Sequence, residues 1–163
     1  MRQIHTFQPI FDKNSKILIL GSFPSVKSRE TGFYYGHPRN RFWQVLADIF
    51  DDPLPQTVVD KQKMLIAHKI ALWDVCSSCE IEGSADSSIH EVIPNDLNII
   101  LSAAKIEQIY TNGKTAEALF SKYCRKDCAI CSICLPSTSP ANAAWNIQKL
   151  ISEWKIIAKE CEK

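Results

Sequence analysis

Four short apolar runs alternate with segments of helical periodicity, and this alternation is the strongest constraint on the fold. The runs cover residues 16–21, 71–75, 106–111 and 129–135. Runs of this length are typical of buried strands, and helices between them supply the crossovers that parallel neighbours need. The sequence therefore predicts an α/β fold with a four-stranded, mostly parallel sheet and helices on both faces.

The helical segments are defined by apolar residues spaced three or four positions apart. They cover residues 41–50, 58–68, 96–104, 114–123 and 141–159. A chain of 163 residues fits one compact domain with one core. We therefore expect residues 1–163 to form a single domain and the protein to be a monomer.

The apolar stretches are too short to cross a membrane. The longest, residues 17–20 and 129–135, fall far below the roughly 18 residues that a spanning helix needs. Residues 1–9 are polar where a signal peptide has its apolar region. We therefore expect a cytoplasmic protein without membrane contact. Its seven cysteines, an odd number, are expected to be thiols in a reducing compartment.

Basic residues are concentrated near the amino terminus of a chain whose formal net charge is only +1. Residues 1–43 hold seven Lys and Arg against two acidic residues, whereas the remainder holds twelve against sixteen. This asymmetry is compatible with a basic face that contacts a phosphate backbone. Ordinary scatter of surface charge is the alternative.

The polar and aromatic chemistry is concentrated in the loops that follow the predicted strands. Open parallel sheets bind their ligands at the carboxyl ends of the strands. Four loops meet this condition, at residues 22–40, 74–88, 112–113 and 136–142. We therefore expect the functional site at this edge of the sheet.

The first of these loops begins with the sequence Gly21-Ser22-Phe23-Pro24-Ser25. Gly21 lacks a side chain and Pro24 fixes the turn, so this backbone can approach a flat or anionic group closely. The motif is not a Walker loop, because no Gly-Lys-Ser/Thr closes it. A plain turn between strand and loop is the alternative.

The segment 31–43 places stacking faces beside phosphate donors, and a base flipped out of a duplex needs both. The aromatic residues are Phe33, Tyr34 and Tyr35, and the polar ones are His37, Arg39, Asn40 and Arg41. For Asn40 the alternative is a helix N-cap ahead of Arg41. For the aromatic residues it is a hydrophobic plug under the loop.

Four motifs occur in a characteristic order along the chain. They are GSFPS at 21–25, GFYYGHPRNRFW at 32–43, LWDV at 72–75 with GSADSSI at 83–89, and LPSTSPAN at 135–142. Together they resemble the hypoxanthine-DNA glycosylase branch of the uracil-DNA glycosylase superfamily. The resemblance extends over residues 16–154, and it implies a three-layer α/β/α fold around a four-stranded parallel sheet.

The resemblance also implies where catalysis takes place. The superfamily's first motif usually has Asp or Asn before its Pro, and here that position is Phe23. In the branch that this chain resembles, the catalytic amide maps instead onto Asn40. Asn40 would then position the attacking water through its carboxamide oxygen, and one residue can serve as both cap and water ligand.

Stabilisation of the leaving base is less conventional. Relatives often offer His or Asn before the Pro-Ser of the second motif, but Leu135 stands there in this chain. Backbone N–H groups near Ser22 and Phe23 would have to hold charge on the base. An aromatic side chain, Phe23, Tyr34 or Tyr35, would stack on it.

The remaining polar residues of the motifs are assigned to base reading and DNA contact. Asp74 would accept a hydrogen bond from N1–H of hypoxanthine, although it could also brace the loop. Asn112 is interpreted as part of an Asn-Gly turn. Phosphate contacts are expected from Ser137, Thr138, Ser139 and Asn142, with Asn142 at the start of the last helix. A Ser/Thr-rich start of that helix is the alternative.

The cysteine spacing superficially suits an iron-sulfur cluster, through Cys124, Cys128, Cys131 and Cys134. Strand alternation would put Cys131 on the face opposite Cys128 and Cys134, so the thiolates could not converge. We therefore expect buried thiols and neither metal nor cofactor. A redox pair of Cys76 and Cys79 is disfavoured.

The expected function is that of a monofunctional DNA glycosylase in base excision repair. Its partner would be DNA containing a damaged or deaminated base, with hypoxanthine, from deoxyinosine, as the expected product. Two alternatives remain open at this point. One is a mismatch-specific uracil-DNA glycosylase, and the other is a non-catalytic binder of damaged DNA or nucleotides on the same scaffold.

Overall fold

The computed structural model describes residues 2–82 and 88–162, and seven strands and six α-helices lie within them. The strands are β1 (Arg2–Ile4), β2 (Ile17–Gly21), β3 (Ile70–Asp74), β4 (Cys76–Glu80), β5 (His90–Pro94), β6 (Gln108–Asn112) and β7 (Ser132–Leu135). The helices are α1 (Val26–Thr31), α2 (Phe42–Phe50), α3 (Val58–Ala67), α4 (Asn98–Leu101), α5 (Lys114–Tyr123) and α6 (Ile147–Cys161). A 3-10 turn covers Arg125–Asp127.

A four-stranded sheet in the order β3-β2-β6-β7 forms the centre of the fold, and all three pairings are parallel. Strand β2 pairs with β3 so that Gly21 lies opposite Asp74. On the other side, Asn112 of β6 lies opposite Leu135 of β7. The predicted α/β class with a four-stranded parallel sheet is therefore confirmed, and the carboxyl ends of the four strands lie at one edge.

The chain crosses the sheet in two directions, and this places helices on both faces. The step from β2 to β3 runs one way, with α2 and α3 between them, whereas the steps from β3 to β6 and from β6 to β7 run the other way. Because such crossovers are right-handed, the two directions put their helices on opposite faces. Helix α6 packs against α2 and completes the first layer.

A second, antiparallel sheet, in the order β1-β4-β5, adjoins the carboxyl end of β3. Our prediction of a long polar loop over residues 74–88 was wrong for Cys76–Glu80, which forms β4. The sequence of β4, Cys-Ser-Ser-Cys-Glu, lacks the β-branched residues that are typical of strands. Its extended conformation depends instead on pairing with β1 and β5. Residues 83–87 of the predicted loop lie outside the described residues.

Several element boundaries also differ from the predictions. Helix α1 lies inside the segment predicted as loop, where Ser25 caps it by accepting from the Ser28 N–H and Gly32 ends it with a φ of 82°. Helix α6 begins at Ile147 rather than at residue 141, because Asn146 provides the cap. Segments 129–131 and 141–146 are therefore parts of loops.

The core lies between the central sheet and its helices. The side chains of β2 and the first three residues of β3 are fully buried. Trp154 of α6 is also fully buried, meets Phe42 of α2 edge to face at 5.9 Å, and donates its indole N–H to the Pro136 carbonyl at 2.9 Å. Among the helices of the described residues, we find none with the length and apolar character to span a membrane.

The substitution Trp154→Ala is expected to lower the free energy of unfolding by about 3 to 5 kcal/mol, because it empties a buried site and removes an indole hydrogen bond. Urea unfolding monitored by circular dichroism provides the measurement. Ile156→Ala, at a position 38% exposed on the same helix, is the control, with an expected change within about 0.5 kcal/mol. Equal losses in the two variants would contradict this description of the core.

Candidate active site

The carboxyl edge of the central sheet opens into a cavity of about 500 Å³. Its lining contains the predicted site residues Gly21, Ser22, Phe23, Pro24, Ser25, Tyr34, Tyr35, His37, Asn40, Asp74, Ser137, Thr138 and Ser139. Five further residues line it as well: Ser28, Ile81, Asn112, Pro140 and Ala141. A volume of this size is typical of a pocket for a small ligand, so the fold brings distant motifs together around one ligand-sized space.

Gly21, at the end of β2, allows the walls of this cavity to approach each other. A Cβ atom at this position would clash with the Asp74 carboxylate and lie 2.7 Å from the Tyr35 hydroxyl. Only a residue without a side chain leaves room for both groups. The sequence predicted that another group approaches the backbone closely at Gly21. In the structure, the groups that do so are the side chains of Asp74 and Tyr35.

Asp74 is a buried carboxylate with a histidine partner. The side chain is 5% exposed, and its Oδ2 lies 2.8 Å from Nε2 of His5, which is itself 1% exposed. The Nδ1 atom of His5 accepts the Phe7 N–H at 3.2 Å, so Nε2 is the nitrogen that carries the proton and donates to Asp74. The other oxygen, Oδ1, lies on the Gly21 side.

Asn40 is held by a network of neutral hydrogen bonds. Its Oδ1 accepts the Phe42 N–H and the Thr138 hydroxyl, each at 2.9 Å. Thr138 is fully buried and in turn exchanges two bonds of 3.0 Å with the Asn112 carboxamide. Both lone pairs of Oδ1 are therefore used, and the amide NH₂ is the part of Asn40 that remains for a ligand.

This arrangement corrects two predictions. Asn40 faces the cavity and accepts the Phe42 N–H at the start of α2, although the N-cap position itself is Arg41, and its carboxamide oxygen is occupied by protein donors. Asn112 is more than part of a turn, because it lines the cavity and fixes Thr138. A polar residue at the last position of a strand that ends at the site is the sequence signal that could have identified it.

Arg41 does not reach out toward solvent as a DNA-contacting residue would. Its guanidinium donates to four main-chain carbonyls of the loop before α6, those of Thr138, Ser139, Asn142 and Trp145. The guanidinium therefore braces residues 138–145 against the start of α2, and the phosphate contact of Arg41 stays a prediction. A guanidinium suits this role because it offers five N–H donors in a fixed plane.

The aromatic residues divide between core and cavity wall. Tyr34 is 2% exposed, and burial and the nearby Asp74 charge raise the pKa of its hydroxyl, which donates to the Gln8 carbonyl at 2.7 Å. Tyr35 stacks on Phe42 with ring centroids 4.1 Å apart. Phe23 packs with Cys76, Cys79 and Ile81. The aromatic segment therefore supplies both a buried core residue, Tyr34, and a residue of the cavity wall, Tyr35.

The rim of the cavity carries the other predicted DNA contacts. Arg39 is exposed, and its N–H donates to Nδ1 of His37 at 3.0 Å. The hydroxyls of Ser137 and Ser139 accept backbone N–H groups two residues further on. Asn142 donates to the Ser137 carbonyl at 3.0 Å and does not stand at the start of α6, contrary to the prediction. Arg39, Arg41 and Asn142 lie outside the lining.

The cysteines differ in their exposure. Cys124 is buried as predicted, but Cys131 and Cys134 are exposed and Cys128 is partly exposed. Cys128 and Cys131 lie before β7, and Cys134 lies on β7, which is an edge strand of the central sheet. Cys76 and Cys79 are both buried, and burial raises the pKa of the Cys79 thiol, which disfavours a reactive thiolate. In residues 2–82 and 88–162, no three His, Cys, Asp or Glu side chains are grouped to hold a metal ion.

Among the residues that sequence reasoning missed, two polar side chains, those of His5 and Ser28, support the site through hydrogen bonds. His5 belongs to a polar amino-terminal segment without any motif, and only the pairing of β1 with β4 brings it to Asp74. Ser28 lies on α1, where its hydroxyl accepts the Gly36 N–H at 3.0 Å and so shapes the aromatic loop. Neither position carries a signal in the sequence beyond its polarity.

Comparison with known proteins identifies the class to which this fold and site belong. A family model of the uracil DNA glycosylase superfamily matches residues 8–158, and the chain belongs to this superfamily of DNA glycosylases. A protein of Methanosarcina acetivorans named hypoxanthine DNA glycosylase is 33% identical over 156 residues, which cover 93% of this chain and 95% of that protein.

Two further relatives agree with this assignment. A hypoxanthine DNA glycosylase of Methanosarcina barkeri is 36% identical over 110 residues, which cover 66% of this chain and 70% of that protein. A solution NMR structure of a candidate uracil DNA glycosylase from Methanosarcina acetivorans superposes with a TM-score of 0.84 at 32% identity and covers both chains completely. The predicted family and fold are therefore confirmed.

The brace formed by Arg41 predicts that Arg41→Lys lowers the free energy of unfolding by about 1 to 3 kcal/mol, because an ammonium cannot reproduce the planar fork of donors. The control is Arg39→Lys at the exposed rim, where the change should stay within about 0.5 kcal/mol. Both values come from urea unfolding of the purified proteins. Equal stability of the two variants would show that the four carbonyl contacts contribute little.

Proposed function

We propose that this protein is a monofunctional DNA glycosylase of base excision repair that releases hypoxanthine from deoxyinosine in DNA. The observation that carries the proposal is one cavity at the carboxyl ends of the parallel strands whose lining contains both a braced amide, Asn40, and a buried carboxylate, Asp74. Two relatives in the same superfamily that bear the name hypoxanthine DNA glycosylase support the choice of base.

The substrate base must leave the helical stack to enter the cavity. This flip costs a few kcal/mol and costs least where pairing is already weak, which favours damaged sites. Phe23 contributes the apolar wall on which a flat base can stack, next to the close backbone approach at Gly21. Tyr35, held on Phe42, adds a second aromatic surface to the lining.

Recognition of hypoxanthine is assigned to Asp74. Because Oδ2 accepts the His5 N–H, Oδ1 is the oxygen that a base in the cavity would meet. A carboxylate only accepts hydrogen bonds, and hypoxanthine presents a ring N1–H beside the O6 carbonyl. Adenine, which hypoxanthine replaces after deamination, has no hydrogen at N1 to donate.

Bond cleavage is assigned to a dissociative path, in which the base leaves with the electron pair of the glycosidic bond. The sugar then carries oxocarbenium character, and a water oxygen adds to C1′. The proton that this water loses balances the one that the departed base anion takes up from solvent. Such an electrophile needs a water in the right place more than a strong base. The amide NH₂ of Asn40 can hold that water by donating to its oxygen, while Phe42 and Thr138 fix the carboxamide.

Charge on the departing base has to be stabilised without a side chain from the second motif. Leu135 is 4% exposed and lies in the core. We assign this task to the backbone N–H groups of Ser22 and Phe23, in the loop that Pro24 fixes. Asn112, at the carboxyl end of β6, does not take part in this stabilisation directly, because its carboxamide is bonded to Thr138.

DNA itself is expected to contact the rim of the cavity. His37, Ser137 and Ser139 line the opening, and the cation Arg39 is exposed beside it. Asn142 shapes the same loop through the Ser137 carbonyl. These few polar groups around an opening suit a backbone that delivers one nucleotide into the cavity.

Uracil is the second candidate for the base, because the matched NMR structure is of a protein described as a uracil DNA glycosylase. Uracil also presents a ring N–H beside a carbonyl. A panel of duplexes containing inosine, uracil or xanthine at one position distinguishes the candidates through their rates of base release. Binding without release of any base would identify a non-catalytic binder.

The substitution Asn40→Ala is expected to lower hypoxanthine release roughly 100-fold or more and to leave duplex affinity nearly intact, because a water-positioning group is lost. Single-turnover strand cleavage at the abasic product provides the measurement. Thr57→Ala, which removes the N-cap of α3 far from the cavity, controls for loss of a helix cap. Near-normal release by Asn40→Ala would contradict the catalytic assignment.

Charge reversal by Arg39→Glu is expected to weaken DNA binding and to flatten its dependence on salt, since fewer counterions are released. Lys155→Glu, on the exposed face of α6, is the matched control and should behave like the unmodified protein. Fluorescence anisotropy at several salt concentrations measures both. Parallel behaviour of the two variants would disprove a DNA-contacting rim at Arg39.

A further inference from the structure

The contact between His5 and Asp74 joins the amino-terminal segment to the floor of the active-site cavity. His5 Nε2 lies 2.8 Å from Asp74 Oδ2, and both side chains are almost completely excluded from solvent. An ionised carboxylate in such a place needs hydrogen-bond donors to offset its lost hydration. His5 supplies one of them.

The backbone delivers His5 to this position through the small sheet. Strand β1 pairs with β4, and the His5 N–H continues the ladder by donating to the Ser77 carbonyl at 2.7 Å. The amino-terminal segment therefore contributes this contact to the site.

The imidazole is fixed on both of its nitrogen atoms. Nδ1 accepts the Phe7 N–H, so the ring presents an N–H at Nε2, and this N–H occupies Oδ2 of Asp74. The rotation of the carboxylate is thereby set, and Oδ1 is directed to the Gly21 side of the cavity. Without the donor, the carboxylate could turn about its last torsion.

We propose that His5 is a positioning residue that determines the preference for hypoxanthine over uracil by fixing Asp74 Oδ1. The inference rests on the proposed function, in which Asp74 reads the base. A purine presents its ring N–H farther from the sugar than a pyrimidine does. An oxygen held at one place therefore pairs well with only one of them, whereas a mobile oxygen discriminates less.

His5 also packs among aromatic rings, and this contact must be separated from the hydrogen bond. Its ring meets Phe7 at 5.5 Å and Phe23 and Tyr34 at 6.0 Å, between centroids. The substitution His5→Phe keeps an aromatic ring but removes the donor. The substitution His5→Gln removes the ring but retains an amide N–H at about the reach of Nε2.

The test measures kcat/KM for release of hypoxanthine and of uracil from otherwise identical duplexes. His5→Phe is expected to lower the ratio of the two values roughly 3-fold to 10-fold, mainly by slowing hypoxanthine release, and His5→Gln should restore most of the ratio. In the Asp74→Ala background, which removes the acceptor of the His5 N–H, His5→Phe should cause no further change in the ratio, because the two residues act through one contact.

Several outcomes would overturn the inference while leaving the proposed function intact. One is an unchanged ratio in His5→Phe, and another is an equal loss on both bases together with a lowered melting temperature. A third is that His5→Phe lowers the ratio of hypoxanthine to uracil release as much in the Asp74→Ala background as in the unmodified protein. If His5→Phe does not fold, His5→Leu takes its place in the test. An unchanged ratio of hypoxanthine to uracil release in His5→Leu would then overturn the inference, and a lowered ratio would support it. Absence of hypoxanthine release by the unmodified protein would instead refute the proposed function.

Discussion

The parallel register of β2 with its two neighbours determines where each polar group of the site can lie. Gly21 stands opposite Asp74, and β6, on the other side of β2, ends at Asn112. Strands only 4.7 to 4.9 Å apart bring such residues within one ligand's width. A shift of one residue would turn the Asp74 side chain to the other face of the sheet, and the cavity would lose its carboxylate.

The site achieves rigidity mostly with neutral groups. Asn40, Thr138 and Asn112 form a chain of amide and hydroxyl bonds, and the main-chain N–H of Phe42 completes it. Such groups cost less to bury than charges provided that each finds a partner. The one buried carboxylate of the cavity lining, that of Asp74, is matched by a histidine N–H. The carboxamide oxygen of Asn40 and one carboxylate oxygen of Asp74 are therefore held in place by protein donors.

The sequence predicted the parts of the molecule that local pattern determines. The central strands and the helices α2, α3 and α5 follow from apolar periodicity, and the motifs at strand ends located the cavity. Strand β4 was missed because its order comes from pairing with distant segments rather than from its own residues.

The contacts of the site that the sequence did not predict share one origin. A half-buried arginine looks like an exposed one in a sequence, and the donors of Arg41 are used by a loop about a hundred residues away. The partner of Asp74 is 69 residues distant in the chain. Contacts of this range depend on the folded backbone, and no spacing rule for local motifs contains them.

The four carbonyl contacts of Arg41 have a mechanical consequence. They fasten the loop before α6 to the first turn of α2, next to Asn40, while Trp154 ties α6 to the start of the same loop. Loop, amide and helix therefore form one body rather than parts that hinge independently. In the proposed mechanism, a displacement of that loop on contact with DNA would be transmitted to Asn40, and contact with the DNA backbone would be coupled to the placement of the water.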